Sequence, residues 1–436
     1  MRKWMVSGVG LWLALLWAGA AQPGAWGAPQ EKPAYTLAEY NAYNACVAEK
    51  AAPLRVRCFD DFVAKYPSST LLIYVYRNYY NTYNELKNYP KVIELADREI
   101  AFGDKIDAGT RFEAIYLRTL AFNNVFSEKG ADSKDQCTKE RAAALQGLQV
   151  LNQLQKPETL SPEDFEKNKK GPAALFNYTA GFCAAHLKDY KSAIDSYKAA
   201  LAANPDDAVT YFRLGVAYLQ SDPPQHMDGF WALARSVGLR KGPGEDPVRA
   251  YLRKQLYNYQ LPACDKLLDA EMNELLSLAA SSPERPATYK FPSSADLQKA
   301  REETTNFITD LKADGDKAKL IWLATCGLEF PEVVGKVIEV SPTENGAVLK
   351  LYNGTTQDEI EKATTPNMEV KVEGQPDAKR VQKDDPVRFS AVLMAYDPDP
   401  FLLHWEKGKI NPEDIPEHKA APGKRPVRRP TRKPGT

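Results

Sequence analysis

The sequence predicts a mainly α protein, a solenoid of stacked helical hairpins followed by a small five-stranded β-barrel. Three observations carry this reading. A 34-residue period relates Asn177 and Gly181 to Tyr211 and Gly215, and periods of that length belong to helix pairs that stack on their neighbours. After Val333 the apolar spacing drops to two, the period of a strand with one wet face. Between the two textures stands Lys241-Gly242-Pro243-Gly244, a run that breaks a helix.

In the clearest repeat, Gly181, Ala193, Tyr197, Ala200 and Pro205 follow one another at offsets of 12, 4, 3 and 5. Gly181 lets the first helix approach its partner, Ala193 is the matching flat spot on the second helix, and Tyr197 fills the space beside it. Pro205 closes the second helix, because it has no amide hydrogen and disfavours helical geometry at Asn204. The run Asn177, Gly181, Ala184, Ala193, Tyr197, Ala200, Pro205, continued by Tyr211, Leu214, Gly215 and Tyr218, resembles the tetratricopeptide repeat family. Asn177 and Ala184 stand where that family uses aromatics.

The resemblance implies a binding groove and no catalyst. Positions that line the concave groove in the family fall here on Leu175, Tyr178, Phe182, Ala185 and His186, and in the next repeat on Val209, Phe212, Val216, Leu219 and Gln220. Members that clamp a carboxylate use Lys, Arg and Asn at such positions. The two clear repeats lack them, which disfavours a chaperone-tail clamp. In a degraded earlier pair the same positions give Tyr74, Arg77, Asn81 and Asn84, a polar set suited to a peptide backbone or carboxylate. The alternative is that the chain's own connector helices fill the apolar groove.

The remaining helices follow from apolar spacing and breakers. Tyr43 to Lys50 with Leu54 to Tyr66, and Leu71 to Glu85 with Lys91 to Phe102, read as two pairs. Lys87-Asn88-Tyr89 parallels Lys188-Asp189-Tyr190 at an offset of 101, close to three periods, and puts Tyr76, Tyr79, Tyr80 and Tyr83 on a packing face. Thr110 to Phe126 and Cys137 to Gln155 form a further pair, followed by a long connection from Lys156 to Gly171. Residues 34–240 are thus expected to form the helical repeat domain. Residues 241–327 read as a cap and connector, with helices at Leu261 to Ala280 and Leu297 to Leu311, since a solenoid must cover its terminal stacking face. Residues 328–412 are the barrel, with strands at Val334 to Val340, Val348 to Tyr352, Met368 to Val372, Val387 to Tyr396 and Phe401 to Trp405. Asn345-Gly346 is the expected tight turn between the first two, and Gln357 to Thr364 a polar helical insert. In strand count and order this segment looks like an OB-type barrel.

The first 28 residues read as a secretory signal peptide. Arg2 and Lys3 precede an apolar run from Trp4 to Ala21, with small-residue exits at Ala18-Gly19-Ala20 and Gly27-Ala28. The expected location is therefore exported, periplasmic or secreted. An uncleaved segment anchoring the chain in the inner membrane is the alternative. Six cysteines in an exported chain can form three bridges in fifteen ways. Cys46 and Cys58 flank the Ala51-Ala52-Pro53 break, so an antiparallel helix pair brings them face to face. Cys137 with Cys183 and Cys264 with Cys326 complete one pairing; buried thiols are the alternative.

The chain carries 57 basic and 57 acidic residues, yet seven of the basic ones lie between His418 and Thr436, where there is no acid. Residues 413–436 form a Pro-rich basic tail that cannot bury a core. It is suited to a weak contact with anionic membrane or polymer. Enzyme motifs are missing. The four histidines are far apart, and there is no metal-ligand spacing, nucleophile elbow or phosphate loop. Neither a metal nor a cofactor is expected. The function predicted is an exported, non-enzymatic scaffold that binds a protein or peptide in its helical groove. The alternative is an envelope protein that binds anionic glycan or nucleic acid through the barrel and tail, with Lys336, Lys350, Tyr352, Lys371 and Arg388 as its contacts; interspersed Glu339, Glu369 and Glu373 make nucleic acid the lesser prospect.

Overall fold

The computed structural model describes residues 34–417 apart from 128, 241–245, 262–263, 305–306 and 314. The leader at 1–28, the Lys241 to Gly244 break and residues 418–436 of the basic tail lie outside the described residues. The chain packs as two compact units, one of residues 1–249 with 276–286, the other of residues 250–275 with 287–436.

In the first unit, consecutive helices pair as hairpins: α1 (Leu37–Ala48) with α2 (Ala52–Lys65), α3 (Leu72–Glu85) with α4 (Tyr89–Ile100), and α5 (Ala108–Val125) with α6 (Ser133–Gln153). They continue with α7 (Pro162–His186) and α8 (Tyr190–Ala203), then α9 (Ala208–Gln220) and α10 (His226–Leu239). Two boundaries differ most from the sequence reading. α1 begins at Leu37 rather than Tyr43, because Thr36 and Glu39 form a reciprocal capping box. The connection expected up to Gly171 is helical from Pro162 onward. Ser161 caps it, accepting from the Asp164 amide at 3.0 Å, Pro162 occupies the first turn, and Phe165 buries its ring. Burial and capping there outweigh the local cost of Gly171 and Pro172.

The correspondence between Lys87 and Lys188 is realised in the backbone. Both lysines take left-handed φ, 57° and 65°. Around them the amides of Leu86, Lys87 and Asn88 donate to Thr82, Asn84 and Tyr83, and those of Leu187, Lys188 and Asp189 donate to Cys183, Ala185 and Ala184. The two turns are the same turn used twice.

Close helix contact explains the recurring spacing of small residues within the repeats of this chain. A Cβ added to Gly181 would lie 2.9 Å from the Tyr197 ring and 3.2 Å from the Ala193 carbonyl oxygen. One at Gly215 would lie 2.7 Å from Leu233 Cγ and 3.0 Å from the Gly229 carbonyl oxygen. Ala193 and Tyr197 are fully buried, and Ala200, Tyr211 and Leu214 are buried beside them. Pro205 follows the end of α8 at Ala203, and Tyr218 packs half-buried against this cluster.

A polar network lies between α3, α4 and α5. Arg77 forms an ion pair with Glu113, and the Asn81 amide donates to the other Glu113 oxygen at 3.0 Å. Glu99 and Tyr80 are fully buried beside them. The Tyr80 hydroxyl neighbours Glu99 without satisfying either group. Burial raises the Glu99 carboxyl from 4.5 to about 8, assisted by repulsion from Glu113.

In the second unit, the helix expected from Leu261 to Ala280 is α12 (Asp265–Ser281), preceded by α11 (Pro247–Gln260), which the sequence reading did not include; α11 begins and α12 ends in residues of the first unit. Arg253 of α11 holds Asp269 at 2.6 Å and Asp265 at 2.8 Å. The helix expected from Leu297 to Leu311 is two, α13 (Ser294–Glu303) and α14 (Phe307–Lys312). α15 (Gly315–Thr325) follows, a helix that apolar spacing does not announce. The short polar helix α16 (Gln357–Lys362) matches the expected insert.

The strands are β1 (Glu329–Thr343), β2 (Gly346–Tyr352), β3 (Met368–Glu373), β4 (Pro386–Pro398) and β5 (Phe401–Ile410), closed in the order β1-β2-β3-β5-β4. Leu349, Val370, Phe389, Leu403 and Trp405 fill the interior, and α14 and α15 add Leu311 and Ile321 to the same core. The β1–β2 turn sits one residue earlier than Asn345-Gly346, since Thr343 already pairs with Gly346. Gly346 is needed inside the strand, where a Cβ would lie 2.0 Å from the Val372 carbonyl oxygen.

These packings have measurable consequences for stability. Gly215→Ala gains about 1 kcal/mol of helix propensity and loses about 1–3 kcal/mol to overpacking, so its melting temperature should fall below that of the parent in a thermal scan. Because Glu99 is held neutral in the fold, the native state loses stability as pH rises from 4.5 towards about 8. Glu99→Gln should match the parent near pH 4.5 and exceed it at pH 8 by on the order of 3–5 kcal/mol in urea titrations; parallel pH profiles for the two proteins would contradict a neutral Glu99.

Candidate functional site

An open pocket of about 290 Å³ lies between α7, the turn after it, α8 and α9. Of the groove positions implied by the resemblance, Phe182, Ala185, His186, Val216 and Gln220 line it. Tyr178 stands one helical turn before Phe182, with their rings stacked at 6.3 Å. Leu175, Val209, Phe212 and Leu219 do not line it; Val209 is exposed and the other three are half-buried.

The pocket wall is an aromatic stack held from behind. Phe126, which ends α5, sets its ring edge to face against Phe182 at 5.3 Å and against His186 at 5.4 Å. His186 Nε2 lies 3.0 Å from the Ser133 hydroxyl at the start of α6, which fixes the imidazole plane. Ala185 and Ala217 keep the floor low between them. All of the lining comes from residues 182–220.

Five lining residues were not among the groove positions expected from the sequence: Lys188, Tyr190, Tyr197, Arg213 and Ala217. The Arg213 guanidinium lies over the Phe182 ring at 5.0 Å from its centroid, a cation–π contact. A signal for it was available, because Arg213 is four residues from Val209 and three from Val216 and therefore shares their helix face. Lys188 is exposed at the left-handed turn position, where no family position pointed. Among the described residues the lining thus joins aromatic surface to two basic side chains, Lys188 and Arg213.

Arg77 and Asn81 do not belong to this site. Their side chains are engaged by Glu113 of α5, so the polar set read as a peptide-binding stretch holds α3 to α5 instead. Tyr74 of that set is exposed.

The barrel is the alternative binding surface. Its cations are taken up by neighbouring carboxylates: Lys336 by Asp384 at 3.1 Å, Lys350 by Glu339 at 3.0 Å, Lys371 by Glu406 at 3.5 Å, and Arg388 by Asp414 at 2.9 Å and Glu413 at 3.1 Å. Tyr352 is half-buried. Asp397 of β4 holds His404 Nε2 at 2.9 Å while Glu369 approaches Nδ1 at 3.5 Å.

The cysteines pair in two places. Cys46 and Cys58 are bridged with Cα atoms 5.2 Å apart, and Cys264 and Cys326 with Cα atoms 5.4 Å apart. Cys137 and Cys183 are buried thiols. Among the described residues no cluster of three or more His, Cys, Asp or Glu is arranged to hold a metal, and no helix is long and apolar enough to cross a membrane.

The TPR repeat family model matches residues 186–222, a stretch that starts in the pocket wall and ends just beyond Gln220. A thermophilic TPR protein of Thermus thermophilus, known from its crystal structure, is similar at 15% identity; the match covers 50% of this chain and 98% of that one, with a TM-score of 0.25. No curated protein matches the chain. The 34-residue period, the hairpin packing and the family match converge on residues 186–222 as tetratricopeptide repeat, within a chain that is a helical-hairpin solenoid followed by a closed five-stranded barrel.

Proposed function

We propose that this chain is an exported, non-enzymatic scaffold that holds a protein or peptide partner in the pocket between α7 and α9. The observation that carries the proposal is the lining itself. Phe182, Tyr190 and Val216 offer apolar contact, and Lys188 and Arg213 bring basic side chains to its edge. A partner segment with an apolar or aromatic anchor beside a carboxylate is complementary to that surface. His186 and Gln220 add hydrogen-bonding edges.

Export rests on the leader-like first 28 residues and on the two bridged cysteine pairs, since disulfides persist where thiols oxidise. In this reading residues 34–240 bind, residues 241–327 connect, residues 328–412 form a second contact module, and residues 413–436 give a weak electrostatic tether to anionic surfaces. The polymer-binding alternative loses ground because the four cations expected to carry it, Lys336, Lys350, Lys371 and Arg388, are already paired.

The test is affinity purification of the mature chain from native envelope extract at high salt, with Val216→Asp and Phe182→Asp in parallel. One stoichiometric protein should be retained by the parent and reduced at least about 10-fold by each variant, with the far-ultraviolet circular dichroism of Val216→Asp unchanged. Undiminished capture by a folded Val216→Asp would place the partner elsewhere.

A further inference from the structure

We propose that Cys137 and Cys183 are joined in the native exported protein as a third disulfide, which clamps α6 to α7 behind the pocket. The antiparallel register of these two helices brings the cysteines together. Ser133 of α6 meets His186 of α7 at 3.0 Å. Further along, Gly147 meets Phe176 so closely that an added Cβ would lie 2.7 Å from its ring. Cys137 lies four residues after Ser133, and Cys183 three residues before His186, so the same register sets them opposite each other. Both side chains are fully buried in one cluster with Phe122.

The other four cysteines of the chain are bridged, which requires folding where thiols are oxidised. Contact with Cys137, and after it burial, push the Cys183 thiol far up, so it has almost no thiolate once folded. Oxidation must therefore precede burial. A thiolate of one cysteine in the folding chain attacks a small-molecule or protein disulfide, releasing one thiol, and the second cysteine then displaces the other half. In total, two cysteine thiols and one donor disulfide become the Cys137–Cys183 bond and two donor thiols, which carry away the protons. After closure the bond is shielded from exchange by the same burial.

The clamp would lie directly under the site. Phe182, next to Cys183, lines the pocket, and Phe126 packs between Phe182 and His186. Any effect on partner binding rests on the proposed groove, and the bridge rests on the proposed export alone.

The experiment is to secrete the full chain into an oxidising compartment, denature it in an alkylating agent without reductant, and map the peptides by mass spectrometry. No label at any of the six cysteines and a cross-linked peptide pair joining Cys137 to Cys183 is the expected result, and a single new label at Cys183 should appear in Cys137→Ser. Labels at both Cys137 and Cys183 with the other four protected, or either residue cross-linked to a different cysteine, would overturn the proposal. Neither outcome depends on whether a partner is captured.

Discussion

Everything in the helical unit depends on how near two helices of a hairpin can come. At Gly181 the approach is close enough that the ring of Tyr197 occupies the space a methyl group would need, and at Gly215 the neighbour is backbone as well as Leu233. Once that distance is set, the apolar residues around it have determined partners, and the next hairpin inherits the same stacking face. Pocket and scaffold are therefore products of one spacing. Phe182 follows Gly181 in sequence, so the residue that enters the wall is positioned by the residue that permits the contact.

The hairpins that lack this spacing use other means. Where a glycine would be expected in α3, Tyr80 is fully buried, and the room around it is shared with Glu99, Glu113 and Arg77. A buried carboxyl kept neutral and a buried ion pair specify geometry at some cost in stability. This explains why the polar residues of α3 could not be assigned from the sequence alone. Family positions located Arg77 and Asn81 on the correct face, but the acceptor that engages them, Glu113, is more than thirty residues away. Long-range pairing of this kind leaves no local trace.

Elsewhere legibility followed the range of the interaction. The repeat register, the correspondence between the Lys87 and Lys188 turns and the five strands were readable because each depends on a period or a short pattern. The early start of α1 was also written locally, in Thr36 and Glu39, though apolar spacing does not detect it. The N-terminal extension of α7 was not readable, since Gly171 and Pro172 signal a break and only the burial of Phe165 reverses them. In the pocket, positions carried over from the family reached Phe182, His186 and Val216, whereas Lys188 depends on a turn geometry. The barrel cations illustrate the converse error. Their basic character was plain, but strand pairing brings a carboxylate to Lys350 and Lys371, and the segments flanking β4 and β5 bring one to Lys336 and Arg388.

The bridge between Cys46 and Cys58 has a meaning for how the array is bounded. α1 rests mainly on α2, and it exposes Leu37, Tyr40 and Val47 on its outer side. Its formal charge is confined to Glu39, which is occupied in capping its own first turn. A helix with so little beneath it would unravel first in a one-dimensional array, where every unit draws stability from its neighbours. The covalent link removes that option by tying the terminal helix to one that is well packed. Cooperativity of the array is thereby extended to α1, so that this helix melts with its neighbours and not ahead of them.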